Sequence, residues 1–383
     1  MFPLCGTCAT ELNQTDACLH GDDERALTGT WVTLEVQKAV EKGYLIIQMH
    51  EVWHYPKRSK SLFKGYVKTF LKRKQEASGY PSTVDTVEKQ QAYVQNYLVK
   101  EGIQLDHDNM SVNKAMRNCN KLILNSLWGR FSLRPDLPTC ELIAEPERFT
   151  QLMFSDSYHI SHFCFVSDEV ALVQWKHKDA RLERARDVNV IVGAVTTAHA
   201  RLMLYDLLDK LQERILYCDT DSIIFVSKEG DWVPPLGPYL GDLTDEINDG
   251  DRYGTEQEDY ISEYVSTGPK SYAYHTRQHK SVVKCKGVTL NAANAKVVTQ
   301  QTLKCLLDDF VNDRPQTLNI TTTVDTIQRD KNKLLLKNAT VVKRLRVVYN
   351  KRWVFPDYTT LPYGYLPFCL LFSNDPCFSS SFI

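Results

Sequence analysis

Residues 215–226 read ILYCDTDSIIFV, two runs of β-favouring apolar residues with a polar stretch between them. The flanks predict two strands, ILYC and IIFVS, joined by Asp219, Thr220, Asp221 and Ser222. Residues two apart on a strand share a face, so Asp219 and Asp221 are expected to project together from the hairpin tip. Two like charges so close repel and resist desolvation unless a cation lies between them. Hard divalent ions such as Mg²⁺ take oxygen ligands, and phosphoryl chemistry uses one or two of them to neutralise developing charge. The plainer reading is a polar tight turn, since Asp, Thr and Ser are turn residues.

The whole chain has 383 residues, a net charge of −1, 43% hydrophobic and 24% charged residues. That is the make-up of a globular protein with a real core, in two or three domains or one multi-lobed one. No apolar run approaches the roughly 18 residues of a membrane span. MFPLCGTCATELNQ at the N-terminus has neither the basic start nor the long apolar stretch of a secretory signal. Eleven scattered cysteines, an odd number, suit a reducing intracellular compartment, nucleus or cytoplasm, better than a disulfide framework.

Charge is segregated along the chain. Residues 57–74 (KRSKSLFKGYVKTFLKRK) and 331–352 (KNKLLLKNATVVKRLRVVYNKR) contain no acidic residue, whereas 241–260 (GDLTDEINDGDRYGTEQEDY) is acidic. Such blocks fit basic surfaces reserved for a polyanion, or simply solvated helix faces. A helix is expected within 25–43, capped at Thr30 or Thr33 and stopped by Gly43. YLIIQMHEVWHYP (44–56) reads as a strand ending at a proline. Helical spacing marks 61–77, where Lys64, Lys68 and Lys72 form a stripe apart from the apolar one, and helices are also expected at 84–100, 114–129 and 198–212. Hairpins are expected at 158–177 and 272–287, a loop at 233–241, a helical and increasingly basic region from 296, and an irregular tail after 365. Helical lobes interrupting antiparallel strands make an α+β protein.

The helix at 114–129 carries a second constellation. Arg117, Lys121 and Asn125 are spaced by four and line one face, with Trp128 and Gly129 beside it. Two cations and an amide offer charge-assisted hydrogen bonds to a triphosphate, and the ring and the glycine suit a sugar and base approaching closely. The alternative is an exposed polar face beside a core stripe of Met116, Leu122 and Leu124.

Together these segments carry a resemblance. ILYCDTDSIIF is similar to the C motif of B-family DNA polymerases, and KLILNSLWG (121–129) resembles their B motif. GPKSYAY (268–274) resembles the lysine–any–tyrosine element, and VKCKGVTLN (283–291) its sequel. The wording of ALTGTWVTLEVQKAVEKGY, KQEASG and TTAHARLMLY is most similar to protein-primed polymerases of Maverick/Polinton self-synthesising transposons, over about residues 2–365. The resemblance implies a right-hand architecture: a lead segment (1–25), part of an antiparallel palm (26–60), fingers (61–130), the rest of the palm (131–295), and a thumb with tail (296–383). It implies that Asp221, supported by Asp219, holds Mg²⁺, and that Arg117, Lys121, Asn125 and Trp128 hold the incoming nucleotide. Lys270, Tyr272 and Lys286 would serve the primer, and Lys64, Lys68 and Lys72 would contact DNA through phosphates. The implied partners are template–primer DNA, dNTPs and a terminal protein or an upstream polymerase half. Trp128 stands where the family has tyrosine.

The family's A motif, aspartate–two residues–Ser-Leu-Tyr-Pro, is missing from the sequence, as is an exonuclease domain; the resemblance implies that both lie upstream of residue 1. Asp16, Asp22 and Asp23 sit in a stretch that does not read as a strand. Activity of this chain alone is therefore in question, and a silent nucleic-acid-binding remnant is the alternative.

Two further patterns involve metal-type ligands. Cys5, Cys8, Cys18 and His20 give C-x2-C-x9-C-x-H, a candidate four-ligand zinc set or a chance grouping in a cysteine-rich chain. HEVWH (50–54) matches the zinc-peptidase pattern, but that chemistry needs a helix with both histidines on one face, and the flanks favour a strand.

Overall fold

The computed structural model describes residues 2–14, 18–81, 84–133, 137–178, 188–248, 259–314, 317–329, 336–355 and 360–365. Along the chain the helices are α1 (Gly6–Glu11), α2 (Asp22–Arg25), α3 (Thr33–Glu41), α4 (Lys64–Glu76), α5 (Val87–Glu101) and α6 (Lys114–Phe131). Then come β1 (Thr139–Ile143), α7 (Pro146–Phe154), β2 (Tyr158–Phe165), β3 (Ala171–His177) and the long α8 (Val190–Leu211). The hairpin β4 (Ile215–Asp219) and β5 (Ser222–Phe225) is followed by β6 (Ile261–Gly268), β7 (Ser271–Thr276) and β8 (Ser281–Lys284). The chain continues through α9 (Asn294–Val297), α10 (Gln300–Val311), β9 (Leu318–Arg329), β10 (Leu336–Leu345), β11 (Trp353–Val354) and β12 (Thr360–Leu361). Every pairing between these strands is antiparallel, so the protein is α+β. No helix among the described residues is long and apolar enough to cross a membrane.

The chain divides into two compact units: Met1–Leu45 with Arg201–Asp231 and Gln257–Ile383, and Ile46–Ala200 with Trp232–Glu256. In the first, the sheet β6-β7-β8 packs against α10. Its core holds Val265, Ala273, Leu303, Leu306, Ile320, Leu345 and Val347, all under a tenth exposed. Thr299 caps α10 by accepting the Thr302 N–H at 3.2 Å, which supplies one of the acceptors a helix start lacks. Ion pairs Glu35–Arg201, Lys38–Asp206 and Lys42–Asp209 tie α3 to α8 at 2.7, 3.1 and 2.7 Å.

The second unit has two small cores. Leu71, Tyr97, Ile103 and Leu105 are buried among α4, α5 and the turn that follows. Thr86 caps α5, and Gly102 at φ 63 ends it by returning its N–H to the Leu98 carbonyl, a left-handed step that glycine takes without a Cβ penalty. The other core belongs to β1-β3-β2 and α7, with Leu152 and Val173 fully buried and Trp175 nearly so. Arg148 clamps it by donating Nε and Nη2 to the two Glu141 carboxylate oxygens at 3.1 Å each while lying over the Trp175 ring.

Several expectations need correcting. Residues 44–56 form neither strand nor helix, and Leu45, Ile47, Met49, Val52 and Trp53 are largely exposed. Their β-favouring side chains have no neighbouring strand among the described residues, and propensity without a partner makes no ladder. The peptidase pattern His50–His54 therefore lacks the helix it requires. Helix α3 begins at Thr33 with Val32 in the cap position, so Thr30 and Thr33 do not cap it. The region after 296 is helical only to Val311; beyond it lies the long hairpin β9–β10, whose β-branched run Ile-Thr-Thr-Thr-Val suits a strand. The tail after 365 lies outside the described residues, as does Asp16.

Candidate active-site hairpin and metal centre

The segment ILYCDTDSIIFV does form a hairpin. Asp219 pairs with Ser222, leaving Thr220 and Asp221 as the loop. Thr220 has φ 57, a left-handed conformation uncommon for a β-branched residue. The chain therefore reverses between the two aspartates, and the same-face rule expected for Asp219 and Asp221 does not apply, because Asp221 lies beyond the strand end. The Asp221 N–H donates to the Asp219 carbonyl at 2.6 Å, and Asp221 is exposed.

Asp219 instead meets a cation. Lys270 Nζ donates to its two carboxylate oxygens at 2.7 and 2.6 Å, and this hydrogen bonding holds the Asp219 carboxyl below the usual carboxylate range despite some desolvation. Lys270 occupies the tight turn between β6 and β7 at φ 59, and its backbone N–H donates to the Tyr217 hydroxyl at 2.9 Å. Tyr272, on β7, has its ring 4.8 Å from that of Tyr217 and stacks in line with Tyr274. Lys286 is exposed just past β8, its backbone N–H donating to Ser271 Oγ at 3.2 Å. The structure thus joins Asp219, Lys270 and Tyr272 in one cluster, with Lys286 tied to the same β7 start.

Helix α6 belongs to the second unit, separate from the hairpin's unit. Arg117, Lys121 and Asn125 are all exposed, and Trp128 is 43% exposed. Its supposed core stripe is not one: Met116 and Leu122 are exposed, and only Leu124 packs partly against the buried cluster. The buried residue of α6 is Asn120, whose amide donates to the Met116 carbonyl. Arg117 reaches Ser78 Oγ at 3.2 Å. A third cation joins them that the sequence pattern does not single out: Lys74 of α4 has its ammonium held below the ordinary lysine range, first by burial and then by the charges of Arg117 and Lys121. The stripe of α4 is less available. Lys64 is exposed, but Lys68 donates to the Gly102 carbonyl at 2.5 Å and Lys72 pairs with Glu76 at 3.6 Å.

The cysteine–histidine set is assembled by the N-terminal turn. Cys5 caps α1, its Sγ accepting the Cys8 N–H at 3.4 Å, which bends the C-x2-C stretch around a common centre. His20 Nδ1 lies 3.4, 3.3 and 3.6 Å from the sulfurs of Cys5, Cys8 and Cys18, and all four ligand atoms lie within 4.8 Å of one another. The three cysteines are at most 1% exposed. Burial pushes the Cys8 thiol up to about 12, while Cys18 is lowered because hydrogen bonds from the His20 backbone and its neighbours outweigh its desolvation. Such a set can hold a metal ion.

No family model, curated protein or solved structure matches this chain.

Proposed function

We propose that the chain is part of a template-directed DNA polymerase of the B family, of the protein-primed type, replicating a mobile or virus-like element. The observation that carries this reading is the Asp219–Lys270 ion pair. Residues 51 apart, assigned by the resemblance to two different motifs, meet in a single contact with the Tyr217–Tyr272 ring pair beside it. The cations of Lys74, Arg117 and Lys121 support it as a ready-made site for a polyanion.

In this reading a primer 3′-hydroxyl attacks the α-phosphorus of a dNTP, the new phosphodiester forms and pyrophosphate leaves. Lys74, Arg117 and Lys121 bind the triphosphate, Asn125 and Trp128 position the nucleotide, and Tyr272 with Lys270 and Lys286 steadies the primer end. Lys270 neutralises Asp219, which leaves Asp221 as the carboxylate open to a divalent ion. One exposed carboxylate completed by phosphate oxygens and water suits Mg²⁺, which would stabilise charge on the reacting phosphate. The resemblance assigns the second carboxylate of a two-metal cage to the family's A motif. At the cysteine–histidine set, three thiolates and an imidazole suit zinc.

Primer extension with Mg²⁺ on a primed template tests the assignment, comparing the chain with Asp221→Ala. Incorporation lost in the variant supports it; equal incorporation by both refutes it. The exposed cations Arg117 and Lys121 also fit a second reading, a catalytically silent nucleic-acid-binding remnant. That reading predicts no extension, together with DNA binding that weakens steeply with salt.

A further inference from the structure

We infer that zinc at Cys5, Cys8, Cys18 and His20 acts as a clasp that holds the strand pair β11–β12 against the N-terminal segment of the same unit. The inference rests on the zinc assignment above and takes it from a site to a consequence. Tetrahedral zinc with Zn–S near 2.3 Å and Zn–N near 2.0–2.1 Å places sulfur and nitrogen about 3.6 Å apart. The three Sγ–Nδ1 separations of 3.3–3.6 Å fall on or just inside that value. Buried thiols of an ordinary apolar core do not converge on one imidazole nitrogen.

Donors also converge on the sulfurs, as an ionised set requires. The Cys8 N–H points at Cys5 Sγ, and Arg25 Nη1 donates to Cys18 Sγ at 3.1 Å. The other arm of Arg25, Nη2, donates to the Gly364 carbonyl at 3.0 Å, so one guanidinium bridges a ligand sulfur to the far end of the described chain. Around this bridge the two segments interlock. Tyr363 is buried in the cysteine cluster, and the Leu4 N–H donates to its carbonyl at 2.7 Å. Gln14 donates to the Arg352 carbonyl at 2.6 Å and to the Tyr363 hydroxyl at 2.7 Å, and accepts the Val354 N–H at 3.2 Å.

The strands themselves are two residues each, far too short to stand alone. Their position therefore depends on the surface they dock against, and that surface is the ligand loop. Metal loss frees the loop, so β11–β12 loosens with it.

The test uses the untagged full chain purified with zinc. Metal analysis is expected to give one zinc per chain, with all four ligand side chains protected from alkylation or unoxidised. Hydrogen exchange is then followed before and after chelation. Amides at Leu4, at 353–355 and at 360–365 are expected to exchange at least about tenfold faster without metal, while β6–β7 stays unchanged. Arg25→Ala, which leaves the ligand set intact, is expected to keep its zinc and still speed exchange at 353–355 and 360–365. Absence of zinc, or a Cys5–Cys8 disulfide by mass, overturns the zinc assignment itself. Stoichiometric zinc with exchange at 353–355 and 360–365 unaltered by chelation and by Arg25→Ala overturns the clasp alone.

Discussion

Replacing Gly364 by alanine puts a number on how tightly the two ends of the first unit are packed. Gly364 has φ 88, and a Cβ there would sit 2.3 Å from Cys5 Cβ, 2.4 Å from Cys5 N and 2.7 Å from the Leu4 carbonyl carbon. Two costs follow. A left-handed backbone carries about 1–2 kcal/mol for a residue with a Cβ. The overlap involves backbone atoms, which cannot swing aside, and overpacking of this kind costs about 1–3 kcal/mol. The sum, about 2–5 kcal/mol, corresponds to a fall in Tm of roughly 4–20 °C for a unit of 150–250 residues. Gly43 supplies the control in the same unit. Its φ is 91, but nothing lies within 4 Å of the position a Cβ would take, so Gly43→Ala should carry only the backbone cost. Thermal unfolding by circular dichroism, in zinc-containing buffer, separates the two. If Gly364→Ala melts within a degree of Gly43→Ala, the close approach of Gly364 to Cys5 is wrong.

Three other outcomes are expected. Lys270 depresses the Asp219 pKa, so the pair's contribution is complete above the unfolded value of about 3.9 and fades as pH falls through the lower folded one; carboxyl NMR of Asp219 should titrate below a normal aspartate and return to it in Lys270→Met. Lys74, with its ammonium disfavoured by burial and by Arg117 and Lys121, should react with an acylating reagent at lower pH than exposed lysines; Lys121→Met should shift that profile up, and added tripolyphosphate should suppress the reaction. Leu152→Ala, in a fully buried position, should cost about 2–5 kcal/mol, read by denaturant unfolding with a probe at Trp175.

The elements legible in the sequence are those whose signal is local. The hairpins at 158–177, 215–226 and 272–287 show β-favouring runs split by short polar turns, and α4, α5 and α6 show helical spacing with a cap or a break at their ends. The cysteine–histidine set is legible because ligand spacing survives in one dimension. Three-dimensional partners are not. Residues 44–56 look like a strand by composition, yet a strand exists only where another lies beside it. The hairpin β9–β10 is hidden because the basic residues around 331–352 mask the β-branched run opposite. Strands β1 and β6 and helix α7 also escape, being short or bordered by polar sequence. At the hairpin tip, period-two reasoning puts the two aspartates together, whereas left-handed Thr220 ends the strand between them. Lys74 is invisible for a different reason: its neighbours are on another helix, about 40 residues on.

The acidic hairpin is also a slight sheet. Strands β4 and β5 have five and four residues and pair only with each other among the described residues, so both outer edges offer unladdered amides and carbonyls. Two strands of that length are marginal by themselves. What steadies them is borrowed from the β6–β7 turn, through the Lys270 amide on Tyr217 and the Lys270 ammonium on Asp219. Any polypeptide that lays a third strand along an open edge would stiffen the aspartate loop without touching it. Rigidity of the aspartate loop would then be conferred from outside, by assembly.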